Sequence, residues 1–319
     1  MFDIRIVRDI EECRELWQRH IPPEVVSDLW EVRLCFHRQY QHPPCFIVAE
    51  ENGQVCGLMP LSRIEDRQIL GYFPGETWAG KTWLEQNRLI ARDEAVLEAM
   101  LTRCHQPYQL RYLLPMETFP LPRQVVDETG YLFLPPKYHY DMETYFQEFS
   151  HKSAKRIRKE IAELAARATF RYDDPADFEH LVNLNLSRFG ENSYYYDPRF
   201  REGFRNLMHY LRDNGWLRIT TVLIDGEPAA VDMGSMYRGA YTMLAGGTHG
   251  GYPGVAKLIN NRHMEFACEE KLNQVDFLCG NFSWKSMFHL TPRPLYLLSN
   301  LPAPDLRPGD TDIRSATHA

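Results

Sequence analysis

The chain has 319 residues, 44% of them hydrophobic and 13% aromatic, and a formal net charge of −7. That length suits two ordinary domains and that composition supplies a packed core, which excludes a disordered chain. The mild acidity excludes a protein whose whole surface coats nucleic acid, no apolar run approaches the roughly 18 residues of a membrane span, and seven cysteines without a C-x-x-C pair argue against a disulfide framework.

The opening "MFDIRIVRDIEECRELW" mixes charges with single apolar residues and has no signal-peptide core, so a cytoplasmic protein is expected. Within it "FDIRIVRD" alternates like a strand, and Ile10, Cys13, Leu16 and Trp17 then fall at helical spacing. "PEVVSDLWEVRLCFHRQY" reads as a second amphipathic helix, and "CFIVAEENGQVCGLMPLSRI" as two β-rich runs joined by Asn52-Gly53, a strong hairpin signal. The second half repeats this order. "ATFRYDD" is a strand, "PADFEHLVNLNLSRFG" and "DPRFREGFRNLMHYLRDNG" are helices, and "WLRITTVLIDGEPAAVDMGSM" is a hairpin closed by Asp225-Gly226. The two turns lie about 173 residues apart, which suggests a duplicated fold. The expected organisation is one α+β domain over 1–148, a second over 149–302, and a loose tail, rich in proline and aspartate, over 303–319.

The second domain opens on "FSHKSAKRIRKEIAELAARATF". Ser150 is a plausible N-cap, and Ile157, Ile161, Leu164 and Ala165 form an apolar stripe. Lys152, Lys155, Arg156, Arg158 and Lys159 crowd the first two turns, where cations oppose the helix dipole. Either an anion sits nearby, or they form a solvated basic face or pair with acids elsewhere.

"LAGGTHGGYPGVAKLI", residues 244–259, places Gly246, Gly247, Gly250, Gly251 and Gly254 between a strand, "AYTMLAGG", and a helix, "GVAKLINNRHMEFACEEK". Free backbone N–H groups and the positive end of the dipole hold anions at such a junction, and Lys257 adds a charge. A plain tight turn explains the glycines equally well, and neither the Walker nor the dinucleotide-binding spacing is present. Further on, Asp276 alternates with Val275 and Phe277, and Lys285 follows in the next element; the two are an ion pair or work on a substrate.

Four stretches then carry a family likeness: "FSHKSAKRIRKEIAEL", "LIDGEPAAVDMG", "GGYPGVAKLINNRHMEFA" and "VDFLCGNFSWKSMF". In this order they resemble the CelD/FemAB-like acyltransferases of the GNAT superfamily. Tyr252-Pro253-Gly254, Asp276, Gly280 and Lys285 match positions of that family's motifs, while Trp284 stands where a tyrosine is usual. "CFIVAEENGQVCGLMPL" resembles the hairpin of the family's first, degenerate domain. The resemblance implies an α+β fold with a mixed sheet: tandem GNAT-like domains, the N-terminal one degenerate.

It also implies acyl transfer from acyl-CoA to an amine or hydroxyl by direct attack, with no metal. The donor pyrophosphate would lie on Gly247, Gly250, Gly251, Tyr252, Gly254 and Lys257, and the thioester along Met243 to Ala245. Asp276, Lys285 and Asp232 are the candidate catalytic residues; Glu191, Tyr194 and Tyr196, in "RFGENSYYYDPRF", would meet the acceptor, with a packed aromatic loop as the other reading. A sugar, amino acid, peptide or lipid headgroup all suit as acceptor. Two other readings stand beside this one: transfer from an aminoacyl-tRNA, as in the Fem branch, with the basic helix as the only RNA footprint, and a binding or scaffold protein without chemistry.

Other clusters carry less. Cys35, His37, His42 and Cys45 match no zinc spacing. His263 falls on the apolar side of its helix as a core histidine, His249 lies beside the expected ligand, and Cys279 has no base to activate it.

Overall fold

The computed structural model of the chain describes residues 2–78, 81–116, 118–121, 125–280 and 283–301; the expected tail 303–319 lies outside them. Among the described residues the chain divides into two units, the first taking in 2–129, 202–207 and 294–301, the second 130–201 and 208–293.

In the first unit β1 (Asp3–Val7), α1 (Ile10–His20) and α2 (Trp30–Tyr40) lead to a hairpin of β2 (Phe46–Glu51) and β3 (Gln54–Met59). Asp9 caps α1 by accepting from the N–H groups of Glu11 and Glu12. The hairpin closes as its dipeptide dictates: Asn52 and Gly53 have φ of 52° and 74°, the left-handed pair that a type I′ turn requires. The sequence predicted one helix across 23–40. Instead α2 begins at Trp30, because the Asp28 carboxylate accepts from the N–H groups of Glu24 and Val25 and holds that stretch as a separate turn.

The short strands β4 (Leu61–Ile64), β5 (Ile69–Tyr72), β6 (Thr77–Trp78), β7 (Lys81–Thr82) and β8 (Ile90–Ala91) follow, then α3 (Glu94–Arg103) and β9 (Gln109–Leu113). The main sheet runs β1-β2-β3-β8, with β4–β5 and β6–β7 as separate pairs. Its core gathers on Trp17, whose ring centroid lies 6.0 Å from Trp30, 6.4 Å from Phe46 and 6.1 Å from Phe73.

Then come β10 (Val125–Phe133), α4 (Met142–Phe146), α5 (His151–Ala165), β11 (Ala168–Tyr172), α6 (Asp177–Phe189), α7 (Pro198–Asp213), β12 (Leu217–Ile224), β13 (Glu227–Tyr237), β14 (Ala240–Thr248), α8 (Val255–Glu269), β15 (Gln274–Cys279), α9 (Ser283–Met287) and β16 (Thr291–Ser299). The sheet of the second unit runs β11-β12-β13-β14-β15-β10. All neighbours are antiparallel except β14 and β15, which are parallel. Asp225 and Gly226, at φ 54° and 89°, close its hairpin by the same turn chemistry.

The fold is thus mixed α/β, and the order strand, helix, helix, hairpin, strand, helix occurs twice: β1 to α3 and β11 to α8. The first copy is reduced at this strand, since β8 has two residues and β14 has nine. Side-chain alternation puts different helices on the two faces of the second sheet. Thr221 meets Asp177 of α6, whereas Asp232, whose Cα partner is Thr220, meets His263 of α8. Val222, Ile224 and Ala230 pack with Val255, Leu258 and Ile259 of α8, and Ile161 and Leu164 of α5 close that layer. Among the described residues no helix is long and apolar enough to cross a membrane, and no three His, Cys, Asp or Glu side chains gather as a metal site.

Candidate functional site

The site begins where a ladder stops. β14 and β15 pair at Ala240–Gln274, Tyr241–Val275 and Thr242–Asp276 and no further, although β14 continues to Thr248 and β15 to Cys279. The other edge of β14 stays paired with β13 as far as Thr248, interrupted by a bulge at Leu244, where Met233 faces Ala245 and Gly234 faces Met243. Residues 243–248 therefore present one strand edge without a strand partner among the described residues. Backbone donors and acceptors left this way accept an extended, amide-bearing ligand as they would another strand.

Beyond Thr248 the chain makes two tight turns, with Tyr252 N–H donating to the His249 carbonyl and Val255 N–H to the Tyr252 carbonyl. The His249 ring folds back into this loop. Its Nδ1 accepts from Gly251 N–H at 3.1 Å, and its centroid lies 5.3 Å from Tyr252. His249 is thus a brace of the loop, with the neutral ring's proton on Nε2. Helix α8 starts at Gly254, which has φ 86° and no side-chain cap; a Cβ here would meet Leu164 Cδ1 at 3.2 Å. Among the described residues the N–H groups of Gly254 and Ala256 have no acceptor. An uncapped helix start with free N–H groups attracts an anion.

The first unit shows what removes that property. At the equivalent junction α3 is capped by Asp93, whose carboxylate accepts from Val96 N–H, and Glu94 follows in the first turn. Two carboxylates occupy the end of the dipole that a phosphate would need.

Gly247 was expected in the anion loop but lies inside β14, opposite Val231. A Cβ there would stand 3.1 Å from Leu181 O and Leu184 Cβ, so this glycine admits α6 onto the strand. The loop proper is 249–254. Lys257 is engaged: its Nζ lies 2.6 Å from Glu160 of α5.

Helix α6 supplies residues that the sequence reading passed over. Asn185 is buried, and its Nδ2 donates to the Gly246 carbonyl at 3.2 Å, while its Oδ1 accepts from Ser193 Oγ at 2.7 Å. Arg188 Nη1 donates to Thr248 Oγ1 at 2.7 Å, where the glycine loop begins. The signal for Asn185 was available, since it continues the apolar face of Leu181 and Val182 at helical spacing; Arg188 reads as one more exposed cation. Through Asn185 the loop after α6 is tied to β14. In that loop Tyr194 is buried in the aromatic packing, and Tyr196, 57% exposed, donates from Oη to Glu191 Oε1 at 3.4 Å.

Asp177 anchors α6. It accepts from Arg171 Nε at 2.9 Å and from Thr221 Oγ1 at 2.5 Å. Burial alone would raise its pKa, but the hydrogen bonds from Arg171 and Thr221 outweigh this and lower it. A carboxyl with a depressed folded pKa adds stability above its unfolded value, near ~3.9, and loses it as pH falls through the folded value. Asp177→Asn is expected to cost about 2 kcal/mol at pH 7, with the difference from wild type shrinking below about pH 4. Urea unfolding of both proteins at pH 7 and pH 3 checks this; an equal difference at both values contradicts it.

The three candidate catalytic residues lie in the interior, each fully buried and each engaged. Asp232 Oδ2 is 2.9 Å from His263 Nε2, so the core histidine of α8 has an acid partner. Asp276 accepts from Arg293 Nη1 at 2.8 Å and Nη2 at 3.2 Å, and from Leu278 N–H at 2.9 Å. Lys285 Nζ donates to the carbonyls of Phe277, Leu278 and Cys279 at 2.9, 2.9 and 3.0 Å. Of the two readings of Asp276 and Lys285, the ion pair is not formed: Asp276 pairs with Arg293, and the ammonium is turned to backbone. None of the three is a free acid or base facing solvent.

On α5 the cations divide. Arg158 pairs with Glu143 at 2.7 Å, Lys159 with Glu163 at 3.6 Å and Arg156 with Glu160 at 4.0 Å. Among the described residues Lys152 and Lys155 have no acidic partner.

Here, then, a parallel pair of strands parts beside an uncapped helix start. Residues 151–286 match the family model described as an acetyltransferase (GNAT) domain, and the chain carries a domain of that superfamily. No curated protein matches the chain. Among solved structures it is similar in fold to L-PGS from Bacillus licheniformis, at 12% identity, 98% coverage of both chains and a TM-score of 0.56. A conserved protein of unknown function from Bacteroides thetaiotaomicron is similar at 12% identity over 93% of this chain and 99% of that one, with a TM-score of 0.55. FemX is similar at 9% identity over 92% and 96%, with a TM-score of 0.54.

Proposed function

We propose that this protein moves an acyl group from acyl-CoA to an amine, or a hydroxyl, by direct attack of the acceptor on the thioester. The observation that carries the reading is the ladder that ends at Thr242–Asp276, beside the uncapped start of α8. The donor pyrophosphate is received by the 249–254 loop and the N–H groups of Gly254 and Ala256. The pantetheine amides run along the open edge of β14 as a strand would, which brings the thioester to the bulge at Leu244. Backbone N–H groups there face the oxygen that gains charge as the acceptor adds, and such donors lower the barrier without a metal.

Asp232, Asp276 and Lys285 are engaged in the interior, so the reaction rests on orientation of donor and acceptor, which alone supplies a large part of the acceleration in such transfers. Glu191 is the exposed carboxylate of the loop tied to β14, and with Tyr196 it meets the acceptor and takes its proton. The acceptors that suit this loop are polar amines of an amino sugar, amino acid, peptide or lipid headgroup. Residues 149–302 carry the chemistry in a cytoplasmic enzyme. Residues 1–148 form the reduced copy, whose helix start is closed by Asp93.

Calorimetric titration with CoA and acetyl-CoA tests this. Binding in the micromolar range is expected, and absence of binding to both overturns the reading. Lys152 and Lys155, which have no acidic partner among the described residues, support a second reading, in which the acyl group arrives on a tRNA. Salt-sensitive tRNA binding that is lost in Lys152→Glu/Lys155→Glu, with no CoA binding, would establish it instead.

A further inference from the structure

The parting of β14 and β15 needs a cause. Neighbouring parallel strands satisfy each other's backbone groups, and leaving them apart forfeits those hydrogen bonds. β14 contributes a bulge at Leu244, just past its last residue paired with β15, yet it stays paired with β13 up to Thr248, so the rest of the parting lies with β15. On β15 three observations coincide at the point where the ladder stops. Leu278 has φ 56°, a left-handed conformation that costs energy for any residue with a Cβ. The register with β10 slips there, two residues of β15 standing against one between Gly130–Cys279 and Leu132–Asp276. The three successive carbonyls of Phe277, Leu278 and Cys279 converge on the one ammonium of Lys285.

In an extended strand successive carbonyls point to opposite edges, so three in a row meet one atom only where the strand has turned. Lys285 is fully buried, with its Nζ 5.5 Å from the Tyr131 ring centroid. An ammonium has three protons, and three carbonyls at 2.9–3.0 Å match them. That match makes its burial tolerable and the bend at Leu278 favourable. Asp276 reinforces the bend by accepting from Leu278 N–H at 2.9 Å.

We propose that Lys285 is a positioning residue that holds the donor cleft open: by gathering the carbonyls of 277–279 it curls the end of β15 away from β14 and keeps the 243–248 edge free of a strand partner. This rests on the reading of that edge as the donor's seat. The lysine acts through backbone geometry and touches neither donor nor acceptor.

The test uses the full chain with Lys285→Met, which keeps the length and removes the charge and donors, and with Lys285→Met/Leu278→Gly, in which glycine adopts the left-handed turn without strain. Hydrogen exchange at residues 243–248 is read first, because it needs no ligand. In wild type the cleft-facing amides of this segment are expected to exchange at least tenfold faster than those facing β13. In Lys285→Met they become protected as β15 closes, and in the double variant fast exchange returns. Acyl-CoA kinetics give the second readout: KM for the donor rises at least tenfold in Lys285→Met with kcat changed less than threefold, and the double variant recovers most of the loss.

Unchanged exchange at 243–248 in a folded Lys285→Met protein overturns the proposal. If Lys285→Met does not fold, uniform protection across 243–248 in wild type overturns it just as well. A wild-type chain that binds no CoA but shows the exchange pattern in all three proteins would sink the donor reading while leaving the clamp in place.

Discussion

Gly250→Asp is expected to weaken CoA and acyl-CoA binding at least tenfold, about 1.4 kcal/mol, without lowering the melting temperature by more than a degree or so. A Cβ at Gly250 meets nothing within 4 Å, and its φ lies outside the left-handed region, so the loop accepts a side chain there. The residue sits four positions before Gly254, the N-cap of α8, where the N–H groups of Gly254 and Ala256 form the proposed anion seat. A carboxylate there repels the pyrophosphate and itself competes for the end of the dipole, as Asp93 does in the first unit. The sign of the charge is what matters. Gly250→Lys is expected to bind at least as tightly as wild type, and both variants are measured by calorimetry with thermal unfolding as the control. If aspartate and lysine weaken binding alike, the loop is not an anion seat.

The second large effect is on stability. Arg293→Met leaves the Asp276 carboxylate buried without its cation, and breaking a buried pair from one side costs about 3–5 kcal/mol. The side chain of Asp276 is only 1% exposed and that of Arg293 17%, so the aspartate suffers most of the loss. Replacing both, as Asp276→Asn/Arg293→Met, removes the uncompensated charge and is expected to recover at least half of it. Denaturant unfolding of the two single variants and the double variant measures the coupling. A coupling near zero would mean that the pair between β15 and β16 contributes nothing to stability.

How far the sequence reaches is clear from single elements. Asn52-Gly53 and Asp225-Gly226 name their own turns, because a left-handed pair is a property of two residues and of nothing distant. The start of α8 is legible for the same reason: a strand, glycines and Pro253-Gly254 dictate a break followed by a helix. The short strands between 61 and 91 are not legible, since two to four residues carry no period to read. The helix start at Trp30 was misplaced because the Asp28 side chain, bonded back to Glu24 and Val25, interrupts an apolar pattern that runs straight through it.

The open edge of β14 shows the same division more sharply. The sequence determined that a strand feeds a glycine-rich loop at the start of a helix, and that Asp276, Gly280 and Lys285 stand beyond that helix. It also determined the duplicated order of elements, because periodicity and turn dipeptides are local. What each residue does was decided by contacts between positions distant in sequence. Asp232 meets His263 across 31 residues, and Asp276 takes Arg293 across 17 rather than Lys285 across nine. Leu278 adopts a conformation that no leucine prefers, because a buried ammonium rewards three carbonyls for turning toward it. The parting of β14 and β15 therefore belongs to the tertiary structure alone: an ion's need for three acceptors outweighs a strand's preference to stay extended.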